Sequence, residues 1–106
     1  MLRIYEVALE MVREVSALAD EVAQRDRDLA KQLRRACMSC VLNIAERSGS
    51  RDGRRRTRYE DALGSSREAL AGLEVAEAAG YITSIDSSVR QRFSHIHGTL
   101  VKVIYR

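Results

Sequence analysis

The sequence predicts an all-α protein made of four helices, and three observations support this fold class. The 106 residues include no Pro and no Trp, and helix formers such as Ala, Leu, Arg and Glu dominate. Apolar residues recur at intervals of three and four along four separate stretches. The gaps between these stretches are short, as is usual between helices that pack as antiparallel neighbours. We therefore expect one domain over residues 1–106, long enough to bury a single core without metals or disulfides.

The first helix is expected to run from about Leu2 to Val22. Two adjacent apolar stripes follow it, and together they make a band wider than a coiled-coil seam, as a globular bundle requires. The first stripe consists of Ile4, Ala8, Met11, Val15, Leu18 and Val22, and the second of Tyr5, Leu9, Val12 and Ala19. In the short connection that follows, Asp26 or Asp28 suits the N-cap position of the next helix.

The second helix, from about Leu29 to Arg47, is apolar on nearly its whole circumference between Ala36 and Ala45. Its inner face is predicted to consist of Leu33, Ala36, Cys37, Cys40 and Ile44. Met38, Leu42 and Ala45 point the opposite way, and a helix with two apolar faces is usually covered on both. Because one bundle covers only one face, we expect these three residues to form an interface with a second copy of the chain.

A narrow polar strip lies beside the inner face of the second helix, at Ser39 and Asn43. Buried polar groups need hydrogen-bond partners, and such groups often fix the register of neighbouring helices. We interpret Ser39 and Asn43 as structural residues that meet Ser65 and Glu68 of the third helix. No constellation of acid, base and nucleophile accompanies them, so we expect a protein without enzymatic activity.

Cys37 and Cys40 form a C-x-x-C pair about two turns inside the second helix. A redox pair of this spacing sits instead at a helix N-terminus, where the dipole lowers the thiol pKa. Zinc would need two further ligands, and His95 and His97 are two residues apart, so they cannot share a helix face. We therefore interpret the thiols as structural and the histidines as surface or boundary residues, and we expect no metal or other cofactor.

The middle of the chain is basic, although the net charge of the whole chain is only +3. Residues 25–58 carry 11 Lys/Arg against 4 Asp/Glu, whereas the rest of the chain carries 7 against 11. This separation of charge suggests a surface that binds a polyanion. The candidate nucleic-acid-binding residues are six arginines within twelve residues: Arg47, Arg51, Arg54, Arg55, Arg56 and Arg58.

The position of these arginines at the start of the third helix favours phosphate recognition. Arginine binds phosphate in a bidentate manner, and exposed N–H groups at a helix N-terminus also prefer anions. The alternative is a solvated helix start. However, positive charge there opposes the helix dipole, so fold stability alone does not explain the cluster. Exposed aromatic residues are not interleaved with the arginines, so we expect phosphate contacts rather than base-specific recognition.

The third helix is expected from about Asp52 to Ala79, with Gly80 closing it. Its interior Gly64 costs about 1 kcal/mol relative to Ala, and we attribute that cost to a close approach between helices. A capping box at Thr83–Asp86 is expected to open the fourth helix. The inner faces are predicted to consist of Tyr59, Leu63, Ser66, Leu70, Leu73 and Ala76 or Glu77 in the third helix, and of Ile85, Val89, Phe93, Ile96, Leu100 and Val103 in the fourth.

Two segments carry a family resemblance. Residues 32–47, QLRRACMSCVLNIAER, resemble the signature Q-L/I-R-R-A…S…NIAEG of the four-helix-bundle proteins encoded in intervening sequences of bacterial 23S rRNA genes. Residues 62–68, ALGSSRE, resemble the second signature of that family, A-x-G-S-x-x-E. The same family includes the accessory variability determinants of diversity-generating retroelements. The chain departs from the signature at Arg47, which stands where the family has the Gly of NIAEG.

The resemblance implies an up-down-up-down antiparallel four-helix bundle that assembles as a ring-like homo-oligomer, a pentamer. Retroelement members are basic and bind a reverse transcriptase together with nucleic acid, whereas the rRNA-insert members have no assigned activity. We therefore expect a non-enzymatic homo-oligomer that binds nucleic acid, with structured RNA favoured, through its arginine-rich surface. The alternative is a scaffold or accessory subunit that binds a protein partner, such as a reverse transcriptase in a retroelement.

The sequence gives no sign of a membrane partner. No apolar run reaches the roughly 18 residues that a membrane span requires. The N-terminus, MLRIYEV, lacks the basic and apolar regions of a secretory signal. A cytoplasmic protein is expected.

Overall fold

The computed structural model describes residues 2–46 and 52–106, and these residues form four α-helices and no strand. The helices are α1 (Leu2–Ala23), α2 (Arg27–Glu46), α3 (Asp52–Ala78) and α4 (Ser87–Ile104). The predicted all-α class and the number of helices are therefore confirmed for the described part of the chain. The predicted ends agree to within two residues, and α2 begins at Arg27 rather than at Leu29.

Each helix buries one face in a common core, as the three–four spacing of its apolar residues requires. The largest side chains that are fully buried come from all four helices and include Met11, Leu33, Leu73 and Phe93. The helix pair α2 and α3 shares the most extensive contact, and α1 and α4 share the least extensive of the four neighbouring contacts. One continuous core therefore holds the described helices together.

Pairs of polar residues show the relative direction of neighbouring helices. Asp20, near the end of α1, accepts a hydrogen bond from Arg34 in the first half of α2. Glu74, near the end of α3, accepts one from Arg90 at the start of α4, with 3.3 Å between Oε2 and Nη1. Arg58, near the start of α3, donates to Asn43, near the end of α2. Consecutive helices thus run antiparallel. The start of α1, the end of α2, the start of α3 and the end of α4 consequently lie at the same end of the bundle.

A half-buried ion pair ties the first helix to the last. Arg92 donates through Nε to Glu14 Oε1 at 2.6 Å and through Nη2 to Glu14 Oε2 at 3.2 Å. Two parallel hydrogen bonds of this kind add geometric specificity to the attraction between the charges. This pair fixes the register of α1 and α4 where their apolar contact is the least extensive.

The ends of α2 and α3 follow the expected capping chemistry. Asp26, and not Asp28, caps α2, because its Oδ1 accepts the N–H of Leu29 at 2.9 Å. At the end of α3, Gly80 has a φ of +79°. The N–H of Tyr81 donates to the carbonyl of Ala76 at 2.9 Å, and the N–H of Gly80 donates to that of Glu77 at 3.1 Å. These two bonds form a Schellman motif, for which glycine is the favoured residue at the left-handed position.

The capping box predicted at Thr83–Asp86 is wrong. The N-cap of α4 is Asp86, and its side chain makes no capping hydrogen bond. The carboxylate of Glu77, at the end of α3, instead accepts the N–H of Ile85 at 3.2 Å and an Nη2–H of Arg90 at 3.3 Å. A tertiary contact from the preceding helix has thus replaced the local one, and sequence spacing alone does not reveal such a contact.

The close helix approach predicted at Gly64 is also wrong. A Cβ atom placed on Gly64 would meet nothing within 4 Å, because this residue faces outward from the bundle. The close approach lies two turns later, at Gly72, where a Cβ atom would lie 2.7 Å from Cδ2 of Leu33. Gly72 therefore allows α2 and α3 to pack tightly, and packing within the chain does not offset the cost of Gly64.

Candidate nucleic-acid interface and self-association face

The first turns of α3 carry an exposed group of basic side chains. Arg54, Arg55, Arg56 and Arg58 are all exposed, as the sequence predicted for a phosphate-binding surface. The two other arginines of the predicted cluster, Arg47 and Arg51, lie outside the described residues. The structure therefore places four members of the predicted set on one helix start.

The antiparallel arrangement brings further cations to this end of the bundle. Arg3 lies at the start of α1, and Lys102 and Arg106 lie at and just beyond the end of α4, all three exposed. We call the surface formed by Arg3, Arg54, Arg55, Arg56, Arg58, Lys102 and Arg106 the arginine end. Arg3, Lys102 and Arg106 were not predicted to belong to this surface, because the residues outside 25–58 carry more acidic than basic side chains. The antiparallel order of the helices was the signal that could have found them.

Two arginines of this surface form weak ion pairs with neighbouring carboxylates. Arg56 Nε lies 3.6 Å from Glu60 Oε2, and Arg58 Nη2 lies 4.0 Å from Glu46 Oε1. All four side chains are substantially exposed, so each pair contributes no more than about 1 kcal/mol and is screened by salt. Contacts this weak leave the arginines available to exchange a carboxylate for a phosphate.

Tyr105 is an aromatic residue at the arginine end that the sequence analysis did not identify. Its side chain is 70% exposed, and the guanidinium of Arg56 lies over its ring, 5.7 Å from the ring centroid. This distance is within the range of a cation–π interaction. An exposed aromatic ring therefore accompanies the arginines after all, brought there by the end of α4.

The polar strip connects α2 to α3 through a short chain of hydrogen bonds. Ser65 Oγ donates to Ser39 Oγ at 2.8 Å, and Asn43 Nδ2 donates to the Ser39 carbonyl at 2.9 Å. Arg58 Nη1 completes the chain by donating to Asn43 Oδ1 at 3.4 Å. The fourth residue of the predicted strip, Glu68, is exposed, and the structure gives it no hydrogen bond to the other three. The strip thus consists of Ser39, Asn43 and Ser65, and it reaches the arginine end at Arg58.

The outer face of α2 is apolar and uncovered within one chain. Met38 is 56% exposed and Leu42 is 60% exposed, and Ala45 is exposed beside them. Met38 and Leu42 border an open groove of about 560 Å³ between α2 and α3, which Lys31 and Arg35 also line. The structure therefore brings together the three residues predicted to contact a second copy, on the side of α2 that faces away from the core.

Both cysteines lie on the inner face of α2, where burial controls their chemistry. Burial raises the pKa of the Cys37 thiol to about 12, with a further contribution from neighbouring Cys40, and burial also raises the pKa of Cys40 to about 12. The thiolate is the form that attacks disulfides and binds metals, so these thiols are poorly reactive at neutral pH. Both are free thiols, and no group of three or more His, Cys, Asp or Glu among residues 2–46 and 52–106 could hold a metal ion.

The two histidines occupy different environments on α4. His95 is exposed, whereas His97 is half-buried and packs edge-on against Phe93, with the ring centroids 6.0 Å apart. Burial lowers the pKa of His97, the positive charge of Arg67 lowers it further, and a backbone hydrogen bond at Ser66 acts in the opposite direction. His97 is therefore neutral at physiological pH and behaves as a boundary residue of the core.

Comparisons with known proteins are consistent with this architecture. The chain is similar to a protein of unknown function from the S23 ribosomal protein family of Bacteroides thetaiotaomicron VPI-5482, for which a crystal structure is known. The two chains share 20% sequence identity and superpose with a TM-score of 0.85, over 97% of this chain and 99% of the other. This likeness shows a shared fold. No curated protein gave a significant match to the sequence.

None of the described helices is long and apolar enough to cross a bilayer. The sequence model that describes the 23S rRNA-intervening sequence proteins matches residues 1–102, which is nearly the whole chain. The chain therefore belongs to the 23S rRNA-intervening sequence protein family.

Proposed function

We propose that this chain is a non-enzymatic, self-associating four-helix bundle that binds nucleic acid, with structured RNA favoured, through phosphate contacts at the arginine end. The observation that carries the proposal is the collection of seven exposed cations, from three helices, at one end of the molecule. Four of these cations come from one stretch of five residues, 54–58, and the other three join them only in the folded chain.

The arginine end destabilises the free protein, and a bound polyanion would remove that destabilisation. Cations at the starts of α1 and α3 oppose the helix dipoles, and their mutual repulsion adds to this cost. A polyanion removes both penalties, because each phosphate neutralises a cation and releases condensed counterions. Exposed backbone N–H groups in the first turn of α3 favour the same ligand. The cluster is therefore easier to explain as a binding surface than as a contribution to fold stability.

Self-association would increase the strength of this interaction. If Met38, Leu42 and Ala45 pack against a second copy, every added copy contributes another arginine end to the same assembly. Several ends that bind one polyanion together gain affinity through effective concentration, without any new kind of contact. The family resemblance implies a ring of five copies, and light scattering on the purified protein measures this number directly.

A second candidate function is a protein-interaction scaffold, and the groove between α2 and α3 supports it. The groove combines the apolar side chains of Met38 and Leu42 with the cations Lys31 and Arg35. Such a surface fits an acidic amphipathic helix of a partner, which for a retroelement-like member would be a reverse transcriptase. Under this hypothesis the groove, which shares Arg58 with the arginine end, determines the partner.

The test measures binding of a structured RNA and of duplex DNA at several salt concentrations. Replacing Arg54, Arg55 and Arg56 by Gln should weaken binding to all sequences alike. It should also flatten the dependence on salt, by a log–log slope of about 0.7–0.9 for each phosphate that the variant no longer neutralises. The control replaces Arg25, Arg27 and Arg90 at the opposite end by Gln, which removes the same charge and should leave most of the binding intact. Arg90 forms ion pairs with Glu74 and Glu77, so circular dichroism checks that both triple variants are folded.

Two outcomes would contradict nucleic-acid binding at the arginine end. The parent protein would bind neither RNA nor DNA at low salt, or the two triple variants would bind equally well with the same salt slope. In either case the protein-interaction scaffold becomes the better description.

A further inference from the structure

Tyr105 presents an aromatic ring to solvent at the arginine end, and the local structure holds it there. Its N–H donates to the carbonyl of Val101 at 3.0 Å, so the last turn of α4 fixes its backbone. The preceding residue, Ile104, is buried in the core, whereas the Tyr105 side chain is 70% exposed. Ile104 supplies the apolar contact at this position, so the core does not account for the Tyr105 ring.

The surroundings of the ring match those of aromatic residues that bind unpaired bases. The guanidinium of Arg56 lies over the ring, 5.7 Å from its centroid, and Tyr105 as a whole remains 70% exposed, which leaves ring surface on which a base can stack. Lys102 precedes Tyr105 by one turn of α4, and Arg106 follows it directly. Proteins that bind single-stranded nucleic acid combine a cationic surface for the backbone with an aromatic ring on which a base stacks.

We propose that Tyr105 is a stacking platform for an unpaired base, so that the arginine end prefers a single-stranded or unpaired segment of RNA to a continuous duplex. This inference rests on the proposed nucleic-acid binding and names the class of ligand. In a duplex both faces of each base are already stacked on neighbouring bases. Tyr105 can therefore act only where a base is unpaired or at a strand end, whereas the arginines contact phosphates in either form.

The cations and the ring make two separate contributions to the binding affinity. The cations set the salt dependence and bind single strands and duplexes through phosphates. The ring adds affinity only for unpaired bases, with little preference for their identity, because every base offers a π-face. Exposed aromatic residues are not interleaved with the arginines in the sequence, and Tyr105 joins them only in the folded chain.

The chain offers a matched control for Tyr105. Tyr81 also has a guanidinium over its ring, that of Arg25, at the same distance of 5.7 Å. It lies at the opposite end of the bundle, beyond the end of α3. Comparing Tyr105→Leu with Tyr81→Leu therefore tests the location of the ring, since both changes remove a ring from a cation–π contact of the same length. Tyr81 is partly buried against the core, so circular dichroism first checks that Tyr81→Leu is folded.

The experiment measures fluorescence anisotropy with a labelled oligoadenylate of about ten nucleotides, within the usual site size of single-strand binders, at low and moderate salt. The second ligand is a long RNA duplex, in which the two ends are a small share of the binding sites. Tyr105→Leu should weaken oligoadenylate binding on the order of ten-fold, leave duplex binding unchanged and leave the salt slope unchanged. Tyr105→Phe should bind like the parent, because stacking needs the ring and not the hydroxyl group. Tyr81→Leu should bind both ligands like the parent.

Three results would overturn the stacking platform. In the first, Tyr105→Leu leaves oligoadenylate binding intact, and in the second it weakens the binding of both ligands equally. In the third, Tyr105→Phe loses as much affinity as Tyr105→Leu. Each of these leaves binding through the cations in place, whereas a parent protein that binds neither ligand at low salt would contradict nucleic-acid binding itself.

Discussion

Two glycines of α3 provide a test of the packing, because the same substitution should stabilise the protein at one position and not at the other. Gly64 and Gly72 both lie inside the helix, where replacing glycine by alanine gains about 1 kcal/mol of helix propensity. At Gly64 the added Cβ would meet nothing within 4 Å. We therefore expect Gly64→Ala to stabilise the protein by about 0.5–1 kcal/mol.

At Gly72 the added Cβ would lie 2.7 Å from Cδ2 and 3.4 Å from Cγ of Leu33. Leu33 is only 1% exposed, so it must move within a packed core. Overpacking of this kind costs about 1–3 kcal/mol, which equals or exceeds the gain in propensity. Gly72→Ala should therefore be neutral or destabilising by up to about 2 kcal/mol.

Urea unfolding followed by circular dichroism measures both free energies of unfolding at about 25 °C. A difference of about 1 kcal/mol between the two variants corresponds to about 4–8 °C in Tm for a domain of this size. A Gly72→Ala variant as stable as Gly64→Ala would refute the close contact between α2 and α3 described above. A destabilising Gly64→Ala that depends on protein concentration would show that another chain covers this outward face.

Three further predictions concern the α2 face, the thiols and the half-buried histidine. Leu42→Glu should dissociate the assembly in light scattering without loss of helicity, because this side chain points away from the core; a monomeric parent protein would contradict the self-association. Replacing Cys37 and Cys40 by Ala should preserve RNA binding and lower the free energy of unfolding by about 1–2 kcal/mol, and stoichiometric zinc in the purified parent would contradict their structural role. The lowered pKa of His97 means that the folded state favours the neutral ring. Stability should therefore fall as the pH drops below about 6.5, and this fall should be smaller in His97→Gln but retained in the exposed control His95→Gln.

The helices were predictable because their signal is local. The three–four spacing of apolar residues identified all four helices, and Gly80 marked the end of α3 through its own backbone preference. The predictions of the capping box and of the close helix approach were wrong because a residue distant in sequence makes the contact that each prediction assigned to a local pattern. The carboxylate of Glu77 binds the chain before α4 in place of a capping box, and the contact with Leu33 falls at Gly72 instead of Gly64. Spacing within one helix does not determine which of its glycines faces a neighbour.

The candidate site was predictable only in part for a similar reason. The arginines of α3 are adjacent in sequence, so their charge was visible without a structure. Arg3, Lys102 and Tyr105 lie far from them in sequence and join them only through the antiparallel order of the helices. Single residues at the chain ends form no periodic pattern, so the sequence alone did not place them in the candidate site.

The buried thiols of α2 also provide an internal measure of local opening. Cys37 is 2% exposed and Cys40 is 0% exposed, so each reacts with a labelling reagent only when the surrounding helices separate and expose it. The rate of thiol labelling under native conditions would then give the free energy of opening around α2, without any mutation or added denaturant. Met38 and Leu42 occupy the opposite face of the same helix, so a partner bound there would hold α2 in place and slow the labelling of Cys37 and Cys40. The labelling rate of Cys37 and Cys40 would thus show whether a partner is bound at Met38 and Leu42.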